Sequence, residues 1–242
     1  MGAIPFPELP MSVVRRRAAL AALLVLSTAT ACLPYTVGTS AQTVPANEST
    51  RSVSSYFAPN AVKLDDSVAA PMFGLDFEWR HGLDAWSDVG VRVIPGGTMA
   101  NYKHRFGPDT SHAGVARAFS VGGGIINWGA HALIEATLMA SGREDGPMTP
   151  YYGVRVLQAI PITAGAVSDQ PTIGAFGGLQ IGNRWFSVRP ELGVFYDHSA
   201  LGLRSSDVLI VPAFTLMRGR GRDGYAEADA TRPSRRTLPR LP

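Results

Sequence analysis

The clearest pattern in this chain is an alternation of apolar and polar residues from Phe73 to Arg80. Large apolar residues at every second position oppose glycine and charged residues: Phe73, Leu75, Phe77 and Trp79 against Gly74, Asp76, Glu78 and Arg80. A period of two places successive side chains on opposite faces of a β-strand. In a soluble β-sandwich the charged face would meet water, whereas in a transmembrane β-barrel the apolar face would meet lipid and the charges would pair inside.

Similar alternation recurs along the chain and predicts ten strands, or eight if the segments 51–57 or 98–106 do not form strands. The ten segments are 51–57, 70–81, 86–95, 98–106, 114–126, 129–140, 150–160, 171–182, 185–197 and 206–217. Most of the links between them are short and rich in glycine, as in an antiparallel meander. The predicted fold class is all-β, an antiparallel up-and-down transmembrane β-barrel of 8–10 strands.

The positions of the glycines favour the barrel over the sandwich. Six glycines share the face that carries the charges: Gly74, Gly90, Gly153, Gly174, Gly178 and Gly193. A face exposed to water has no steric need for glycine, which weakens a strand. The narrow lumen of a small barrel does need small residues, because large side chains from one strand require space opposite them.

Charge composition supports the same choice. Charged residues make up 17% of the chain, and Lys63 and Lys103 are its two lysines, so that nearly all basic residues are arginine. Arginine suits buried, paired sites better than lysine does. The isoelectric point of 9.2 does not predict nucleic-acid binding, because many arginines lie near the two ends of the chain and no recognition motif accompanies them.

The chain divides into four parts by composition. Residues 1–31 have the basic and apolar regions of a signal peptide, and residues 32–49 are a Ser/Thr/Pro/Ala-rich stretch that predicts a flexible linker. Residues 50–218 form the predicted barrel, and residues 219–242 are an Arg/Pro-rich stretch that predicts a disordered tail.

The sequence around Cys32, the one cysteine in the chain, resembles the lipobox of bacterial lipoproteins. In Ala29-Thr30-Ala31-Cys32 small residues precede the cysteine, although Ala29 stands where leucine is most usual. This resemblance implies that Cys32 is lipidated and becomes the first residue, and Leu33 after it favours the outer membrane. The alternative is an ordinary signal-peptidase site at which Cys32 is incidental.

Together the signal, the lipobox and the alternating segments resemble bacterial outer-membrane β-barrel lipoproteins, which implies outer-membrane lipid as the partner. The lumen would then hold an ionic network of Asp76, Glu78, Arg80, Arg92, Glu135, Arg155, Arg189 and Glu191. Buried charges must be paired, because an unpaired one costs several kcal/mol. We expect this network to be structural, with a narrow ion or small-solute path as the alternative. We expect no cofactor.

Enzyme and metal sites are weakly indicated. His198 and Ser199 resemble a little the His-x-Ser motif of outer-membrane lipid A deacylases, but as neighbours in a strand they would point to opposite faces. His104, His112, His131 and Glu135 lack the short spacing of metal ligands.

The leading hypothesis is a non-enzymatic barrel with a structural, adhesion or passage role. The alternative is a soluble periplasmic or surface-exposed β-sandwich or barrel lipoprotein that binds a partner or apolar ligand. The third is an outer-membrane lipid-modifying acyl hydrolase.

Overall fold

Over the residues that it describes, the computed structural model of the protein has ten antiparallel strands and one short 3₁₀ turn, Asn127–Gly129. It describes residues 33–65, 68–107, 114–142, 147–166, 170–183, 185–197 and 207–220. For residues 60–65, 68, 69 and 220 it describes the backbone alone. The strands are β1 (Ser49–Asp65), β2 (Val68–Gly82), β3 (Ser87–Ile94), β4 (Gly97–Phe106), β5 (Ala116–Ile126), β6 (His131–Ser141), β7 (Met148–Pro161), β8 (Thr172–Gly182), β9 (Phe186–Tyr196) and β10 (Val208–Arg220). Among the described residues, no helix has the length and apolar character needed to cross a membrane.

The strands close into one barrel in which each pairs with its neighbours in sequence. Closure is made by β1 and β10, whose register runs from Ser49 opposite Arg220 to Tyr56 opposite Ala213. This confirms the all-β up-and-down barrel and the count of ten. A sandwich, the predicted alternative, would leave open sheet edges and is wrong. We call the end with Ser49 and Arg220 the terminal end, and the opposite end the loop end.

The burial pattern of the barrel is the reverse of that of a soluble protein. On β2, Phe73 and Trp79 are 54% and 51% exposed on the outside, whereas Asp76 and Arg80 are 1% and 5% exposed on the inside. The same alternation continues around the wall, where exposed valine, leucine, isoleucine and phenylalanine side chains form a continuous outer surface. Such a surface is stable in lipid, and it confirms the arrangement predicted for Phe73 to Arg80.

Residues 33–44, which we call the lumen segment, run through the inside of the barrel. All residues from 33 to 41 are buried, among them Tyr35 at 1% and Ala41 at 0% exposure. The expectation of a flexible linker in this stretch is therefore wrong. The small side chains that suggested flexibility instead let an extended chain fit between charged side chains of the wall, which bind its main chain.

The glycines of the inner face make room mainly for aromatic rings. A Cβ atom at Gly74 would lie 1.8 Å from Cζ of Tyr56, and one at Gly174 would lie 2.1 Å from Cδ1 of Phe195. Tyr56 and Phe195 belong to an apolar cluster near the loop end that also holds Leu33 and Leu209. The glycines thus allow two aromatic rings to lie flat against the wall and leave the lumen centre to the segment.

Candidate functional site

The lumen is the candidate site, because it holds a set of buried charged residues. All eight side chains belong to residues that are at most 6% exposed: Asp76, Glu78, Arg80, Arg92, Glu135, Arg155, Arg189 and Glu191. They come from β2, β3, β6, β7 and β9, and the alternation of each strand turns them inward. The structure groups them into clusters along the wall instead of one continuous network.

The first cluster joins β2, β3 and β4 near the terminal end. Arg80 Nη1 donates to Glu78 Oε1 and to Asn101 Oδ1, each at 2.7 Å. Arg80 Nε donates to Asp88 Oδ1 at 2.9 Å, and Lys103 Nζ lies 3.3 Å from Asp88 Oδ2. Each charge therefore has an opposite charge within reach, which offsets the free-energy cost of removing it from water.

The second cluster lies between β2, β6 and β7. Arg155 pairs with Glu135, and the two come from neighbouring strands. Arg92 joins this region to the first cluster, since its Nη2 lies 3.6 Å from Glu78 Oε1. Asp76 differs from the rest: within the part of the chain that the structure describes, neither of its carboxylate oxygens has a hydrogen-bond partner. It faces the lumen as a buried carboxyl group without direct donors.

Carboxylates of the wall accept the main-chain N–H groups of the lumen segment. Glu191 accepts from the N–H of Val37 at 2.9 Å and from that of Gly38 at 3.1 Å. Tyr151 Oη also donates to Glu191, at 3.0 Å. Nearer the terminal end, Asp88 accepts from the N–H of Val44 at 2.9 Å. These bonds fix the segment at two heights in the barrel.

Cations of the wall donate to the carbonyl oxygens of the same segment. Arg155 Nη1 donates to Pro34 O at 2.6 Å and to Thr36 O at 2.8 Å. Arg92 Nη1 donates to Thr36 O at 3.0 Å, and Arg189 Nη1 donates to a carbonyl two residues further, Gly38 O, at 2.8 Å. The terminal nitrogens of these guanidinium groups thus find charge-assisted acceptors on the main chain of the segment.

The loop end of the lumen is closed by aromatic residues. Tyr35 Oη donates to the Asp197 carboxylate, which also accepts from Thr172 Oγ1 at 3.2 Å. The Tyr35 ring packs edge-on against Phe195, with centroids 5.3 Å apart. Tyr56 Oη donates to Leu33 O at 2.8 Å. An apolar seal with a few satisfied polar groups therefore covers the segment at this end.

The terminal end contains buried polar groups without partners. Among the described residues, Ser141 Oγ, Ser187 Oγ and both amide atoms of Gln180 have no hydrogen-bond partner. Gln180 and Ser141 are each 1% exposed, on strands β8 and β6. Buried polar atoms are almost always hydrogen-bonded, to protein or to water. These groups therefore mark the part of the lumen that is best suited to hold water.

The sequence prediction omitted several residues of the site. Asp88, Asn101 and Lys103 are central to the first cluster, and each faces inward with at most 5% exposure. A signal was present, since Asp88 alternates with outward-facing valines and Lys103 is one of two lysines in the chain. Tyr35 carried no such signal, because residues 33–44 have no periodicity.

Other candidates lie apart from the lumen or outside the described residues. Cys32, His112, His198 and Ser199 are outside them. His104 Nδ1 lies 2.9 Å from Ser87 Oγ, close to the terminal end. Within the described ranges, no group of three or more histidine, cysteine or acidic residues could hold a metal ion.

A closed barrel with an apolar outer surface and a charged lumen defines a transmembrane β-barrel protein. No protein-family model and no curated protein matches the chain in sequence. Among solved structures, it is similar to an outer membrane channel from Pseudomonas putida F1, with 8% identity, a TM-score of 0.49, and coverage of 74% of this chain and 97% of that one.

Two further similarities are weaker. Neisserial surface protein A has 12% identity and a TM-score of 0.35, with 71% of this chain and 96% of that one covered. The N-terminal β-barrel domain of Pseudomonas aeruginosa OprF has 9% identity and a TM-score of 0.33, with 72% of this chain and 98% of that one covered.

Proposed function

We propose that this protein is an outer-membrane β-barrel lipoprotein with a structural role in the cell envelope, its lumen closed by its own N-terminal segment. One observation carries the proposal: the lumen segment and the charged wall satisfy each other's hydrogen bonds through much of the barrel's interior. A barrel filled in this way leaves no wide channel. No group of reacting residues is needed for such a role, and the proposal is non-enzymatic.

Lipidation of Cys32 is part of this proposal, and the position of Leu33 changes what it implies. Leu33 lies in the loop-end cluster with Ile94, the last residue of β3, and Leu209. Consecutive Cα atoms are about 3.8 Å apart, so an anchor on Cys32 belongs near the loop end. A flexible linker would instead have left the anchor free to reach lipid at either end. Acyl chains would then enter the leaflet that surrounds the loop end.

Extraction tests the membrane part of the proposal. The Cys32→Ser chain, secreted with a cleavable signal, is expected to stay in the outer-membrane fraction until detergent is added. It should also migrate differently before and after heating, as closed barrels do. The unsubstituted chain is the control, and it should additionally carry acyl chains by mass spectrometry. Release of the Cys32→Ser chain into buffer would show a soluble protein held only by its anchor.

Narrow passage of ions or small solutes is the second candidate function. The partnerless polar atoms of Gln180, Ser141 and Ser187, together with Asp76, favour a hydrated path beside the segment. In planar bilayers a purely structural barrel should show no resolved conductance. A small conductance that Asp76→Asn alters in its cation preference would favour passage instead.

A further inference from the structure

We propose that the lumen is a binding site for an extended polypeptide, recognised through its main chain, and that residues 33–44 are the resident ligand. Donors of the wall reach carbonyl oxygens spread along this whole segment. The acceptors are the main-chain oxygens of Leu33, Pro34, Thr36, Val37, Gly38, Ser40 and Gln42. The donors are Tyr56, Arg92, Lys103, Arg155 and Arg189.

Acceptors of the wall complete this arrangement. The two oxygens of the Glu191 carboxylate take the successive N–H groups of Val37 and Gly38, at 2.9 and 3.1 Å. Asp88 takes the N–H of Val44. The wall thus offers cations that donate to carbonyl oxygens and carboxylates that accept from N–H groups. Together they complement the hydrogen-bonding groups of a peptide main chain. Charge-assisted hydrogen bonds of this kind are about twice as strong as neutral ones.

Few of the polar contacts depend on which side chains the segment carries. The side-chain contacts are those of Tyr35 with Asp197, of Thr39 and Gln42 as acceptors from Lys103 and Arg105, and of Thr43 as donor to Ala85 O. The remaining side chains of residues 36–41 are small, so shape and main-chain contacts dominate in the middle of the lumen. Main-chain amides are the same in every polypeptide, apart from proline nitrogen. A chain of different sequence can therefore occupy the same contacts.

Some hydrogen-bond donors of the wall are directed at acceptors of a polypeptide in the lumen. Arg80 finds its partners within the wall, in Glu78 and Asp88. Arg92 and Lys103, in contrast, direct donors at carbonyl oxygens of the segment as well as at carboxylates. Removal of the segment would leave Arg92 and Lys103 with these carboxylates but without their carbonyl acceptors. The lumen is thus built around a ligand that supplies regularly spaced carbonyl groups.

Exchange of the segment after folding tests the proposal. A protease site is inserted between Ala46 and Asn47, which are exposed, in the Cys32→Ser chain. The barrel is folded in detergent micelles and then cut, so that folding occurs with the segment in place. Isotope-labelled synthetic peptides of residues 33–46 compete for the lumen. One has the native sequence, and the other keeps Leu33, Pro34, Tyr35, Gly38 and Pro45 in place and scrambles the order of the remaining residues.

We expect both peptides to exchange with the released one, with apparent dissociation constants within about tenfold, as measured by native mass spectrometry of the washed barrel. A preference of more than tenfold for the native order would overturn main-chain recognition. Loss of the cut segment without rebinding of either peptide would overturn the binding site. Because the assay is done in micelles, neither outcome depends on the cellular location or on lipidation.

A substitution in the wall separates main-chain from side-chain recognition. Glu191→Gln removes the charge that accepts two N–H groups. We expect it to weaken the binding of both peptides by about tenfold or more, and by the same factor for each. Weaker binding of the native peptide alone would contradict the proposal, as would unchanged binding of both. Ser120→Ala is the matched control, because Ser120 is similarly buried on β5, at 6% exposure against 5% for Glu191, and should change neither value.

Discussion

The ammonium nitrogen of Lys103 lies 3.3 Å from the carboxylate of Asp88, and the two residues stand directly opposite each other on β4 and β3. The same pair holds the lumen segment, since Asp88 accepts from Val44 N at 2.9 Å and Lys103 donates to Gln42 O at 2.6 Å. One cross-strand ion pair therefore connects the wall to the segment at the terminal end. A substitution that breaks this ion pair should therefore weaken both the pairing within the wall and the hydrogen bonds to the segment.

Replacement of Lys103 by methionine tests this connection. Lys103→Met removes a buried cation and leaves Asp88 with fewer donors, so we expect the free energy of unfolding to fall by about 3 kcal/mol. The measurement is the urea dependence of the folded, heat-modifiable gel band in detergent. Arg117→Met is the control, because Arg117 is exposed, and its cost should stay within about 0.5 kcal/mol. Equal costs for the two variants would show that the buried pair contributes nothing to stability.

The wall of the barrel could be predicted from sequence because its physics is local and periodic. Each inward residue from Gly74 to Arg80 is two positions from the next, and the register of β2 with β3 then sets Glu78 opposite Arg92. Alternation alone therefore placed these charges in the lumen. It could not say which carboxylate each cation binds, because that depends on rotamers and on strands distant in sequence.

The lumen segment could not be predicted for a different physical reason. Its residues have no period, and its structure is imposed by side chains between 23 and 162 positions away, as in the bond from Gly38 N to Glu191. Main-chain recognition leaves little trace in the sequence of the recognised chain. Composition alone could not distinguish residues 33–44 from a flexible linker, although Gly38 was a potential indication of a special backbone position.

The ion pair between Arg155 and Glu135 permits a double-mutant cycle. Arg155→Met and Glu135→Met each leave one buried charge without its partner, whereas the double variant removes both. We expect the double variant to cost about 1–3 kcal/mol less than the sum of the two single variants. Denaturant unfolding of the four proteins in the same detergent gives the coupling. Strictly additive costs would mean that the two charges do not stabilise each other.

Gly38 is a position at which we expect alanine to disrupt the segment. Its φ of +62° is unfavourable for other residues, and an added Cβ would lie 2.8 Å from Thr215 Oγ1 and 2.9 Å from Ser54 Oγ. The left-handed backbone alone costs about 1–2 kcal/mol, and the contacts add to it. Gly38→Ala should therefore lower stability by about 2 kcal/mol or more and increase ion conductance in planar bilayers.

Gly114 separates the two contributions at Gly38. Its φ is also positive, at +74°, but an added Cβ there meets nothing within 4 Å. Gly114→Ala should therefore show only the backbone cost, about 1 kcal/mol, and no change in conductance. If Gly38→Ala behaves as Gly114→Ala does, the segment is not held tightly against Thr215 and Ser54.

Charge on the outer surface tests the membrane position of the barrel. Leu192 is 52% exposed near the middle of β9, and Val208, equally exposed, is the first residue of the neighbouring strand β10. An arginine at the bilayer midplane costs about 2–4 kcal/mol, and one near the interface costs about 0–1 kcal/mol. We expect Leu192→Arg to lower the free energy of unfolding of the vesicle-inserted barrel by the larger amount and Val208→Arg by the smaller, as measured by urea titration. If both substitutions cost less than about 1 kcal/mol, the apolar outer surface would not lie in lipid.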